Sequence, residues 1–356
     1  MSEWVFKLPG ATLSSNKILR REQLDTYFPS GLIPFERELD DAWEVIAFTP
    51  KDPAYFVDPR IHEVLWDWHE QVSIEEIGNY RSFYKNCMIS FFDSWSLYYW
   101  SLLAAYLREK NEKRSFFLLH IDDHKDLGSP LFFIEDDDYF SMLNHEKISF
   151  SNPSSIRDAV LSKSIGIDSF IVPLLSSHEV QYISHLKYSH TSKKKTVGLE
   201  IKKELDSILS FGKNRLKVHF STQPSTISYS ISNTIETIMP TIPEDSILLL
   251  HIDCDGFFNR YNLDENWHKS SLGKEKTLDE VKRMILNLSE ALKSLPNQIF
   301  INIALSPGFF PSEYWKETCN TIIELFEGMD VIKEDLFSQF ILQNYPEELR
   351  YDPSKN

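Results

Sequence analysis

The residues best placed to do chemistry fall in two short stretches that end in nearly the same words, LLHIDDHKD at 118–126 and LLHIDCDGF at 249–257. Each sets carboxylates directly after a continuous apolar run: Asp122, His124 and Asp126 in the first, Asp253 and Asp255 in the second. Within each stretch the i, i+2 spacing turns alternate side chains to one side. Carboxylates gathered in one place repel one another by about 4 kcal/mol per pair at about 4 Å and an effective dielectric near 20, so a cation must sit among them. Hard oxygen donors with one imidazole match Mn²⁺ best, ahead of Fe²⁺, Mg²⁺ and Zn²⁺, because Cys254 alternates to the other side of its strand. Five such ligands exceed what one closed site takes, so two ions are expected, and a pair of ions is hydrolytic machinery. The competing reading, solvated loops that cap helices, suits either motif alone better than both together.

Two further positions belong to the same pattern. Asp93 follows the apolar run at Met88 to Phe92 and precedes a helical stretch, so it is either a metal ligand or a helix N-cap. Ser306 opens SPGFFP, where Pro307 and Gly308 impose a turn, and Ser306 is a candidate substrate contact there. His120 and His251 precede the ligand aspartates by two residues and are expected to be buried, hydrogen-bonded supports. His145 and His178 are either surface residues or proton donors from loops. The acidic run Glu135 to Asp138 is either a solvated loop or a lure for a basic partner.

The elements that would position these residues alternate along the chain. Apolar runs of strand length occur at Met88 to Phe92, Ser115 to Ile121, Ile167 to Val172, Ser246 to Ile252 and Ile299 to Leu305, and their continuous apolarity means burial on both faces. Helical stretches lie at Ser94 to Lys110, Ser176 to Lys187, Thr277 to Leu295 and Pro311 to Glu327, with Thr277 and Glu280 forming a capping box. The alternation predicts a three-layer α/β/α sandwich with a mainly parallel sheet, and in such sheets ligands bind beyond the carboxyl ends of the strands. Residues 1–80 read as an irregular extension packed on a main domain at 81–356, relieved by a short strand at Trp43 to Phe48 and a helix around His62 to Gln71. Covering a sheet edge or binding a leader peptide are its two candidate roles.

Composition narrows the partners. In 356 residues, 42% hydrophobic content supports a large buried core, and an excess of 53 acidic over 37 basic residues disfavours nucleic acid and anionic membrane. Three separated cysteines give no disulfide framework, and no run has the length of a signal core or a membrane span, so a cytoplasmic protein is expected. Gly is scarce, at 11 residues, which leaves no obvious flexible linker.

The two motifs resemble the dimetal signature of arginases, agmatinases and the related deacetylases, Asp-x-His-x-Asp on one strand end and Asp-x-Asp on a later one. The wider text, DSWSLYYW at 93–100, SIGIDSFIVP at 164–173 and IALSPGFFP at 303–311, is most similar to the peptide arginase branch over roughly residues 80 to 330. That resemblance implies an arginase-like fold and two Mn²⁺ ions held by Asp93, Asp122, His124, Asp126, Asp253 and Asp255. It further implies hydrolysis of peptidyl arginine to ornithine and urea in a ribosomally made precursor peptide. Asp126 would then also orient the attacking water and carry a proton to the leaving amine. Two departures stand out: Asp93 occupies the place of the family's early histidine, and Ala304 stands where arginases carry a glutamate that grips the guanidinium. Another metal-dependent C–N hydrolase, a deacetylase or amidinohydrolase acting on a small molecule, is the alternative enzyme. A metal-stabilised binding protein is the non-enzymatic one.

Overall fold

The computed structural model describes residues 3–350 apart from 29–31, 49–53, 69–71, 178–179, 192–193, 207, 210–211, 239–241, 244–245, 265, 270–274 and 347. It is an α/β protein containing a large mixed sheet with a central parallel core and a small N-terminal antiparallel sheet. The chain divides into two compact units, one of residues 54–125, 178–200 and 220–356, the other of 1–53, 126–177 and 201–219. Among the described residues no helix is long and apolar enough to cross a membrane.

The larger unit is built on the parallel core, whose strands run in the order Cys87–Ser90, Ile299–Ala304, Ile247–Asp253, Phe116–Ile121, Val180–Leu186 and Ile227–Ser232. Antiparallel neighbours flank it, Arg81–Tyr84 at one side and residues 194–199 at the other. Every residue of Phe116–Ile121, Ile247–Asp253 and Ile299–Ala304 is buried, the condition that continuous apolar runs anticipate. Alternation then gives the two faces different duties. Leu119, Ile121, Leu250, Ile252, Ile301 and Ile303 form one core with Ile285 and Leu288 of the helix Leu278–Leu292 and Cys319 and Ile322 of the helix Trp315–Gly328. The first of these helices opens with the Thr277–Glu280 capping box, a device worth about 1 kcal/mol. On the opposite face the helix Trp95–Glu109 lays Trp100 against His251 at 6.2 Å, and Asn302 donates a hydrogen bond to Ser96. Phe337, from the helix Leu336–Asn344, packs there on Phe300 at 5.2 Å.

The smaller unit corrects the expectation of an irregular N-terminus. Glu3–Pro9, Ala42–Phe48 and Ile33–Glu38 pair antiparallel in that spatial order, so the expected strand at Trp43 to Phe48 is the middle of a sheet. Phe6, Leu8, Trp43 and Val45 face inward and pack with Leu131, Phe133, Met142 and Leu143. Tyr27 donates to the Asp206 carboxylate, and the Arg215 guanidinium stacks over the Tyr27 ring at 4.4 Å. The acidic run is the turn of the hairpin Phe132–Glu135/Asp138–Ser141, with φ of 50° at Asp136 and 66° at Asp137, left-handed positions that Asp tolerates. Lysines answer three of its carboxylates: Lys213 at Glu135 (2.8 Å), Lys203 at Asp137 (2.6 Å) and Lys147 at Asp138 (2.6 Å).

Two expected elements change type. Ile167 to Val172, read as a strand, is a turn leading into the helix Ile171–Ser177. Pro173 sits in the first turn of that helix, where its missing N–H costs no intrahelical bond. Ser176 to Lys187, read as a helix, instead contains the strand Val180–Leu186, held in parallel register by Phe116–Ile121 and Ile227–Ser232 on its two sides. The expected helix from His62 to Gln71 is the shorter Ile61–Asp67, and the end of that stretch lies outside the described residues.

Candidate metal centre

The site forms where three strands of the parallel core end. Ile247–Asp253 lies between Ile299–Ala304 and Phe116–Ile121, with His251 in register with His120 and Ile252 with Ile121. This register brings Asp253 level with Asp122. The chain after Asp253 tightens into a short 3-10 turn, Cys254–Gly256, in which the Asp255 N–H donates to Asp253 Oδ1 at 3.2 Å. The first motif folds in the same manner: the His124 N–H donates to Asp122 Oδ1, and the Asp123 N–H donates to Asp255 Oδ1 at 3.1 Å, tying one motif to the other. Gly256 permits the contact, because a Cβ there would lie 2.6 Å from the Asp122 nitrogen and 2.8 Å from its Cα.

Three metal-competent triads occur among the described residues, each with its ligand atoms within 4.8 Å of one another: Asp93, Asp122 and Asp253; Asp122, His124 and Asp255; and His120, Asp122 and His251. Asp122 belongs to all three, and the first two gather at the strand ends. All four carboxylates are buried, whereas the His124 side chain is 39% exposed and marks the open side. His124 Nδ1 lies 3.0 Å from Asp255 Oδ2 and 3.4 Å from Asp122 Oδ1. Asp93 sits one residue before Ser94, the N-cap of the helix Trp95–Glu109, so its carboxylate joins the triad while its neighbour takes the cap position. Asp126 begins the second segment of the smaller unit and belongs to none of these triads; it is buried and has a φ of 49°, a left-handed conformation that Asp adopts more readily than most residues.

The electrostatics call for a cation. Burial, then the charges of Asp255, Asp122 and Asp93, push the Asp253 carboxyl well above the ordinary carboxylate range. Burial alone would lower the His124 pKa, but the hydrogen bonds and charges of Asp122 and Asp255 outweigh it and hold it at about 12. A buried group of four carboxylates that drives its imidazole to protonate is a poor ground state without a metal. The same donors, hard oxygens with one imidazole, suit a divalent ion. The residues present therefore fit metal ions.

Beneath the ligands lie three buried imidazoles. His120 and His251 face each other through their Nδ1 atoms at 2.8 Å, and His120 Nε2 lies 3.2 Å from the His124 carbonyl. Donation from Nε2 to that carbonyl leaves His120 Nδ1 as the acceptor from His251, a tautomer assignment that follows from the partners. His185 repeats the arrangement, with Nε2 3.0 Å from the Asp122 carbonyl and Nδ1 2.6 Å from the Tyr229 hydroxyl. Burial pushes His185 down to about 4 and His251 to about 3, so both are neutral donors. His120 and His251 also form a triad with Asp122. Both are buried and hydrogen-bonded, His120 to His251 and to the His124 backbone, as the sequence anticipates.

The remaining predicted residues are placed as follows. Ser306 is buried with a φ of 53°, and its N–H donates to the Phe91 carbonyl at 2.9 Å. Ala304 is buried and in register with Asp253, so this strand end brings no carboxylate to the rim. Cys254 points into the apolar core, as its alternation requires. His145 is exposed in a tight turn of the smaller unit, beside Phe133, and His178 lies outside the described residues.

Sequence reasoning passed over three contributors. Asp123 ties together loops after three strands, accepting from Ser189, from Asn259 Nδ2 at 3.2 Å and from Lys187 Nζ at 3.2 Å. Burial opposes its ionisation, yet Ser189 and Lys187 hold its pKa below the usual value. His185 is the second; no motif flagged it, because its strand was read as a helix. The third is Phe309, whose ring meets the His124 imidazole edge-on at 5.0 Å and 68°. The chain matches no protein-family model and no curated protein.

Proposed function

We propose that this protein is a two-metal hydrolase of a carbon–nitrogen bond, and that its substrate is an arginine side chain within a peptide, cleaved to ornithine and urea. The observation that carries the reading is the sharing of the buried Asp122 between the Asp93–Asp122–Asp253 and Asp122–His124–Asp255 triads, since one carboxylate serving two adjacent ions suits a paired hydrolytic centre. Asp93, Asp122 and Asp253 would hold one ion and Asp122, His124 and Asp255 the other, with Mn²⁺ the best match to the donors. Bound there, the ions supply Lewis acidity and bring water toward ionisation at neutral pH.

The chain's own residues do the rest. The Asp123–Lys187–Ser189–Asn259 contacts and the buried imidazoles fix the two motif loops, so little reorganisation accompanies substrate entry. The resemblance to arginases gives the proton to Asp126, which would orient the attacking water and pass that water's proton to the departing side-chain nitrogen as the carbon–nitrogen bond breaks. Oxygen from water remains on the carbon that leaves as urea. The excess of acidic over basic residues favours a cationic substrate in the same direction.

One observation favours a second reading. With Ala304 at the strand end beside Asp253, the carboxylate that grips a guanidinium in arginases has no counterpart there, which suits a hydrolase of an acylated amine. Mass spectrometry of an arginine-containing precursor peptide, incubated with the Mn²⁺-loaded protein and with an Asp253→Ala control, separates the two. Loss of the mass of CN₂H₂ per arginine, with the intact site only, is the expected result. Unchanged peptide together with release of acetate from acetyl-lysine substrates would replace the arginase reading with the deacetylase one.

A further inference from the structure

We infer that Phe309 is the residue of the SPGFFP turn that meets the substrate, an aromatic wall that selects a cationic group at the metal centre. The inference rests on the hydrolase reading above for the location of the substrate and goes beyond it in naming what selects charge. Ser306, the residue that the sequence offers from this turn, is buried, and its backbone is committed to Phe91. The turn is built to present something else. Ser306 and Gly308 both take positive φ, 53° and 81°, a conformation that costs free energy at a non-glycine residue and concentrates at functional sites. Both the Arg260 and Tyr261 N–H groups donate to the Phe309 carbonyl, at 2.9 and 3.2 Å, and the Phe309 N–H returns to the Ser306 carbonyl at 3.1 Å.

So clamped, Phe309 stays partly exposed while its neighbour Phe310 is buried in the core. Its ring stands 5.0 Å from His124, the one ligand with an open side. Phe309 therefore borders the exposed side of His124. A partly exposed phenyl ring beside a carboxylate cluster can attract a planar cation through the negative faces of its quadrupole, whereas it offers a neutral amide only contact area. That supplies a charge preference at a rim where Ala304 contributes none.

Calorimetric binding to the Mn²⁺-loaded protein tests this, with N-acetyl-arginine amide as the cation and N-acetyl-citrulline amide as its neutral isostere, and with the heat of any cleavage measured separately and subtracted. Wild type is expected to prefer the arginine derivative, Phe309→Leu to lose about 3- to 30-fold of that preference, and Phe309→Tyr to keep it, with metal content equal in all three. An unchanged preference in Phe309→Leu, or no preference in wild type, overturns the inference. So does loss of metal from Phe309→Leu, which would make Phe309 a prop for His124. Failure of the hydrolase reading is seen separately, as arginine peptides that bind and are not cleaved.

Discussion

Gly256 is where the two aspartate motifs touch, and it shows how much of the centre depends on single atoms. A methyl group there would press on the Asp122 backbone at 2.6 Å, a contact that backbone can relieve only by moving the ligand shared between the triads. Gly256→Ala should therefore destabilise the protein by on the order of 1–3 kcal/mol and also weaken metal binding, measured by thermal melts and by titration with Mn²⁺. A variant that melts earlier yet binds metal normally would mean that the loop absorbs the clash elsewhere. Asp123 makes a complementary case, since it is a carboxylate in the motif with its own partners. Asp123→Ala should lower metal affinity about 10- to 100-fold while leaving the stoichiometry unchanged, as supports behind a ligand set usually do. A changed stoichiometry would make Asp123 a ligand.

The strands Phe116–Ile121 and Ile247–Asp253 carry the site because burial on both faces leaves their polar residues one place to go, the carboxyl end. That logic was legible in the sequence, as was the burial and hydrogen bonding of His120 and His251 on the same strand face as Asp122 and Asp253. The intervening strand Val180–Leu186 was not, because VQYISHL follows a serine- and histidine-rich stretch with helical spacing and gains its strand register only from neighbours on both sides. The opposite error at Ile167 to Val172 has the matching cause: a short β-branched run bounded by Gly and Pro suits a buried helix as well as a strand. At the N-terminus, Glu3–Pro9 and Ile33–Glu38 alternate inward and outward residues, but proline at or near their ends disguised them as irregular.

His185, on the misread strand, allows a test at this scale. Its pKa in the folded protein, about 4, lies below the unfolded value of about 6.5, so the stability it contributes is present above pH 6.5 and is lost as pH falls toward 4. Wild-type stability in denaturant should thus fall more steeply over that interval than the stability of His185→Gln. Parallel slopes would mean that folding does not depress the His185 pKa.

At the scale of the molecule, four buried carboxylates are a standing cost that bound metal ions would offset. Chelation should lower the melting temperature markedly, and adding Mn²⁺ back at about 100 times its dissociation constant should restore about 2.7 kcal/mol for each site filled. Mutations in the smaller unit's apolar core, such as Phe6→Ala, should cost about 3–5 kcal/mol. If one carboxylate, Asp122, joins two metal positions, its removal should empty both. Ions per chain can be counted by native mass spectrometry after Mn²⁺ loading of wild type, Asp122→Ala and His124→Ala. Two ions are expected in wild type, neither held tightly by Asp122→Ala, and a single ion kept by His124→Ala. A wild type that never exceeds one ion, or an Asp122→Ala protein that still holds two, would contradict the sharing of Asp122.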